Sequence, residues 1–122
     1  MQRLTKAEEE VMQVIWRKER CLVSDILDEM EQKSGKRPPH STISSIVRIL
    51  EKKGFVGHKA YGRTYEYFPL VSKGDYSRRS LHKLVKDYFD GSVNKLVSFL
   101  VREEKLSPDE LADLLDRLKE KE

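Results

Sequence analysis

The 122-residue chain has one cysteine, Cys21, so no disulfide framework can form within it, and a lone thiol fits a reducing compartment. It lacks a long apolar run. The longest, around Leu96–Val101, is interrupted by Ser98 and is far too short to span a bilayer. The opening MQRLTKAEEE has no apolar signal core. These absences predict a cytoplasmic protein with no direct membrane insertion. Catalysis finds little to use, since there is no Gly-rich phosphate loop and no Ser/His/Asp arrangement. His40, His58 and His82 stand far apart, without Cys, Asp or Glu at ligand spacing. No enzyme, metal site or cofactor is expected.

One further absence is local. Residues 1–34 carry six Lys/Arg and eight Asp/Glu, and residues 66–122 carry eleven and twelve. Residues 35–65 carry seven bases (Lys36, Arg37, Arg48, Lys52, Lys53, Lys59, Arg63) against a single acid, Glu51. The overall net charge of +3 therefore conceals a block of +6. Such a block is either a solvated face or the footprint of a polyanion, and the fold it adopts decides between them.

What is present reads as a series of short elements. Residues 4–18 predict a helix, with Thr5 and Glu8 spaced as a capping box and Ala7, Val11, Val14 and Ile15 on one stripe, widened by Met12 and Trp16. Cys21-Leu22-Val23 reads as a short extended piece, its thiol a small buried hydrophobe. Ser24 is placed as the N-cap of a second helix carrying Ile26, Leu27 and Met30, which fades into the linker Gln32–Pro39. In the third helix Ile43, Ile46, Val47 and Leu50 share a face, leaving Ser41, Ser44, Ser45, Arg48 and Lys52 opposite. Ordinary helix capping is the bland reading of these serines; it explains Ser41 but leaves Ser44 and Ser45 on an outward face, where groove contact is the better use. Gly54 closes the helix. Phe55–Ala60 and Thr64–Phe68 predict strands joined by the three residues Tyr61-Gly62-Arg63. Tyr65 and Tyr67 fall on one strand face, Phe68 on the other.

Helix, short strand, helix, helix, hairpin is the order of a winged helix-turn-helix, which lays one helix in the DNA major groove with the hairpin beside it. Carboxylates near a phosphate backbone repel it, while each Lys or Arg that neutralises a phosphate releases a counterion. The expected fold is mainly α with a small β-hairpin, divided into a winged helix-turn-helix DNA-binding domain at 1–71 and a helical dimerisation domain at 72–122. In the second domain Leu81, Leu84, Val85 and Tyr88 form one stripe and Val93, Leu96, Val97, Leu100 and Val101 another. Ser107-Pro108-Asp109-Glu110 is a helix start, followed by Leu111, Leu114, Leu115 and Leu118. Three short amphipathic helices cannot bury every apolar face against one another. A second copy of the chain is the economical solution, with Leu96, Leu100, Leu111, Leu114, Leu115 and Leu118 as the interface; a monomer with its tail folded back is the alternative.

"LTKAEEEVMQVIW", "STISSIVRILEKKGFV" and "YEYFPLVSKGDY" resemble the penicillinase-repressor family of bacterial transcriptional repressors, the BlaI/MecI/CopY type, from Leu4 to about Lys119. The resemblance implies a homodimer that binds an inverted-repeat operator in double-stranded DNA and blocks transcription. Carried over by position, Ser41, Thr42, Ser44, Ser45 and Arg48 are the base readers. Lys52 and Lys53 serve phosphates, while His58, Lys59, Arg63 and Tyr65 belong to the wing. It also implies derepression through a membrane sensor protease system that leads to cleavage in the dimerisation helices. The matching bond is Phe99–Leu100, with Phe99 standing where relatives have an asparagine. The C-terminal cysteines of the copper-responsive branch are absent from "LADLLDRLKEKE", which leaves Cu(I) no thiolate. The competing assignment is a winged-helix protein–protein adaptor with only non-specific affinity for nucleic acid.

Overall fold

A computed structural model describes residues 3–103 and 107–120, and the side chains of all of these except 114, 115 and 117–120. The elements are α1 (Lys6–Lys18), α2 (Val23–Ser34), α3 (His40–Lys52), β1 (Val56–Tyr61), β2 (Thr64–Pro69), α4 (Lys73–Tyr88), α5 (Val93–Glu103) and α6 (Pro108–Glu120). They group into two compact units, residues 1–76 and 77–122, the division falling inside α4.

In α1 the predicted capping box is present. The Glu8 N–H donates to Thr5 Oγ1 at 3.2 Å, and the Thr5 N–H donates to Glu8 Oε1 at 2.9 Å. Val11, Met12, Val14 and Ile15 are buried as expected, but Ala7 is exposed, and Leu4 and Glu8 are the buried residues of that end. The start of α2 also differs from expectation. Its N-cap is Leu22 rather than Ser24, and with no hydroxyl there, the Asp25 carboxylate reaches back to accept from the Leu22 N–H at 2.8 Å. Cys21, one residue earlier, exchanges both backbone bonds with Tyr67, at 3.0 and 2.7 Å, so α2 begins as soon as that bridge ends. Gly35, at φ +78, closes α2.

Pro39, not Ser41, is the N-cap of α3, its carbonyl accepting from Thr42 at 3.1 Å. The helix stops in a Schellman arrangement. Phe55 N–H donates to the Leu50 carbonyl at 2.9 Å and Gly54 N–H to that of Glu51 at 3.0 Å, with Gly54 at φ +86. This turn drives Phe55 and Val56 into the core and launches β1. Strands β1 and β2 pair antiparallel from Val56↔Pro69 to Tyr61↔Thr64, so the connection is Gly62-Arg63, two residues rather than three. Gly62 takes φ +63 at the first loop position, the conformation a type II′ hairpin turn requires there. Phe55, Met12, Ile15, Ile26, Leu50 and Val47 fill the centre of the core, with Tyr67 bringing β2 onto it. Half-buried Trp16 packs on its edge and donates its indole N–H to the Val71 carbonyl at 2.8 Å.

The second unit is helical. Ser92 Oγ accepts from the Lys95 N–H at 3.2 Å to cap α5, and Ser107 Oγ accepts from the Glu110 N–H at 3.1 Å to cap α6 as predicted. Val85 and Leu111 are buried. Leu81, Leu84, Tyr88, Val93 and Phe99 are exposed, and α5 buries none of its residues. Among the described residues no helix is long and apolar enough to cross a membrane.

Candidate nucleic-acid interface

Burial of Ile43, Val47 and Leu50 fixes the rotation of α3 and turns Ser41, Thr42, Ser45, Arg48 and Lys52 outward. Ser44 lies half-buried beside them and accepts a bond from Arg48 Nη2 at 3.1 Å, one helical turn away. The hairpin supplies Lys59, whose ammonium sits 5.4 Å from the Tyr61 ring centre, and Arg63 at its tip. Tyr65 is exposed and Tyr67, on the same strand face, is buried beneath the wing. His58 stacks on Tyr65 with ring centres 4.4 Å apart, and its Nδ1 lies 2.5 Å from Glu51 Oε2. Where α3, the hairpin and the start of α2 meet there is a groove of about 340 Å³, whose lining includes Ser24, His40, Ser44, Arg63, Thr64 and Tyr65.

The seven bases of the cationic block sort into two groups. Arg37 is engaged by Asp28 at 2.7 Å and Glu31 at 3.1 Å. Lys53 is held 2.7 Å from Glu8 Oε1 and 3.3 Å from the Arg3 carbonyl, so the structure sets it apart from the outward face and ties it to α1. Burial works against ionisation of Glu8, but the bonds from Lys53 and from the Thr5 backbone outweigh it and hold its pKa below the ordinary carboxylate value. Among the described residues, Lys36, Arg48, Lys52, Lys59 and Arg63 have no carboxylate within ion-pair distance. Their charge is therefore available to a polyanion.

Cys21 belongs to the core. Burial, with the nearby Asp25 charge, pushes its thiol up to about 11, so it stays protonated near neutrality. No group of three or more His, Cys, Asp or Glu suited to a metal occurs among the described residues. Sequence reasoning missed His40, Thr64 and Ser24 at the groove. His40 was within reach, since it precedes Ser44 by one helical turn; Thr64 and Ser24 join it only through tertiary packing.

Residues 4–120 match the family model described as penicillinase repressor. The chain belongs to the penicillinase repressor family. It is 30% identical over 118 residues to the methicillin resistance regulatory protein MecI of Staphylococcus aureus (strain N315), covering 97% of this chain and 94% of that protein. It is 29% identical over 117 residues to the penicillinase repressor of Bacillus licheniformis, with 96% and 90% covered. The solution structure of the DNA-binding domain of the repressor BlaI matches with a TM-score of 0.52 at 31% identity, over 61% of this chain and 88% of that one. The B. licheniformis BlaI monomer in complex with the blaP half-operator matches at 0.50 and 31% identity, over 62% and 89%. The structure of hsRosR-S4, at 0.56 and 21% identity over 91% and 92%, shares the fold. The winged helix is thus shared with BlaI, and the penicillinase repressor family consists of DNA-binding transcriptional repressors, not enzymes.

Proposed function

We propose that the chain represses transcription as a homodimer on an inverted-repeat operator, each protomer laying α3 in a major groove with the hairpin beside it. The observation that carries this reading is the set of outward cations, Arg48 and Lys52 on α3 and Lys59 and Arg63 on the hairpin, none paired with a carboxylate among the described residues. Hydroxyls of Ser41, Thr42, Ser44 and Ser45 lie between them, able to bond base edges, and Arg48 can take guanine O6 and N7. Lys52, Lys59 and Arg63 answer to phosphates, which position the duplex without reading it. The likeness to BlaI bound to a half-operator supports the same use of this surface.

Dimerisation rests on the second unit. Leu81, Leu84, Tyr88, Val93 and Phe99 stay exposed, and an open groove of about 810 Å³ runs past Phe89, Val97, Phe99 and Val101. A second copy would cover such surface. Of the interface residues expected from sequence, Leu96 and Leu100 are half-buried and Leu111 is already buried within the chain. The side chains of Leu114, Leu115 and Leu118 lie outside the described residues. Two-fold symmetry predicts half-sites about one helical turn apart, or a small multiple. The proposal extends to release by a sensor protease system acting at Phe99–Leu100. That bond lies inside α5, so cleavage requires the helix to open locally first.

Selection of bound duplexes from a random pool by the purified protein tests the reading. One inverted repeat is expected, with Arg48→Ala losing sequence preference as well as affinity. Only weak, salt-sensitive, sequence-indifferent binding would contradict it and favour the adaptor assignment.

A further inference from the structure

We propose that Glu51 is a positioning residue that locks the wing against α3 before DNA arrives, and so sets the preference for operator over other duplexes; this deepens the operator-binding reading and rests on it. Glu51 is the one acid among residues 35–65, placed among cations that face a polyanion. A bare carboxylate there only repels phosphate. Glu51 is not bare. Its Oε2 lies 2.5 Å from Nδ1 of His58, joining the last turn of α3 to β1. His58 lies nearly parallel to Tyr65, centres 4.4 Å apart and planes 23° apart. Tyr65 in turn meets Tyr67 edge-on at 6.5 Å, and Tyr67 is buried on the core. A run of contacts thus leads from the reading helix through the wing to the core.

A two-stranded hairpin holds its position poorly unaided. Tyr65 lines the groove together with Ser44 and Arg63, so the tie governs how far the wing's contacts lie from those of α3. Fixing that offset in advance removes an ordering cost from the one duplex that matches it. Duplexes without a matching register gain nothing from it.

Charge alone and positioning predict different outcomes. Removing a carboxylate raises affinity for every duplex in parallel. Removing the tie lowers operator affinity while affinity for a scrambled duplex holds or rises. Full-length Glu51→Ala, Glu51→Gln and His58→Phe are compared with the unmutated chain on both duplexes at one salt concentration, with thermal melting as a check on folding. Glu51→Ala is expected to reduce the operator-to-scrambled ratio about fivefold, the scale of one partly exposed pair. His58→Phe keeps the stacking but loses the bond, and should match it. Glu51→Gln keeps an acceptor for Nδ1–H and should retain the ratio while both affinities rise. An unchanged ratio in both Glu51→Ala and His58→Phe, with both affinities rising in parallel in Glu51→Ala, would overturn the inference alone. Absence of operator preference in the unmutated chain would overturn the operator reading, and this inference with it.

Discussion

In the unit of residues 1–76, Phe55, Met12, Ile15, Ile26 and Leu50 are wholly withdrawn from water, whereas in residues 77–122 Leu81, Leu84, Tyr88, Val93 and Phe99 keep between 39% and 77% of their surface exposed. The residues are no less apolar in the second unit; they lack something to pack against. Small units bury a small fraction of their surface, and one of this size is marginal for sustaining a core unaided. On the proposed reading, the first unit holds a shape that presents charge and the second meets a second copy of the chain. Ion pairs occur in both units, Arg37–Asp28 and Lys53–Glu8 in the first and Lys83–Asp87 and Lys95–Asp90 in the second. Among the described residues, however, Arg48, Lys52, Lys59 and Arg63 of the first have no carboxylate within ion-pair distance.

The sharpest way to break this contrast is to remove a large side chain from each unit. Phe55→Ala should cost about 3–5 kcal/mol of unfolding free energy, the usual penalty for an aromatic cavity, independent of protein concentration. Urea titration at two concentrations checks both parts. Leu84→Lys with Tyr88→Ser should leave folding of the first unit untouched and weaken self-association roughly 30-fold, at about 2 kcal/mol for lost apolar burial. Sedimentation velocity over a dilution series reads this, and an unchanged dimer would remove the α4 face from the interface.

Two adjacent lysines offer a finer cut. Lys53→Ala leaves the Glu8 carboxylate buried without its ammonium and should cost about 2 kcal/mol of stability. Because the folded Glu8 pKa is depressed, this stabilisation is complete above its ordinary value of 4.5 and is lost as pH falls through the folded value. Stability of Lys53→Ala should therefore depend less on pH in that acidic window. Lys52→Ala should leave stability alone and make the salt dependence of DNA affinity shallower by about one charge. Equal effects of the two would deny that the structure assigns them different roles. The smallest effect concerns Cys21, which should react with thiol reagents at neutral pH only as fast as the first unit unfolds.

Elements defined by local chemistry were legible in the sequence. The Thr5–Glu8 box, the apolar face of α3, the Gly54 stop and the Ser107 cap each involve residues within one or two turns. What escaped depends on distant partners. The sequence suggests Ser24 as the cap of α2, but the pairing of Cys21 with Tyr67, which dictates where α2 begins, joins residues 46 positions apart. Lys53 resembled Lys52 until folding brought Glu8 to it across 45 positions. Glu51 looked like an isolated acid in a basic block until β1 turned His58 back onto α3. Within the site, composition revealed which residue types were gathered, and only packing revealed which were already engaged.

The central claim, that one unit reads DNA and the other joins two copies, is tested most directly by binding stoichiometry on two duplexes. One carries the selected inverted repeat and the other a single half-site, with affinities measured at matched salt. The account predicts two chains per full site and a steep loss of affinity on the half-site. One chain per duplex with equal affinity on both would contradict it.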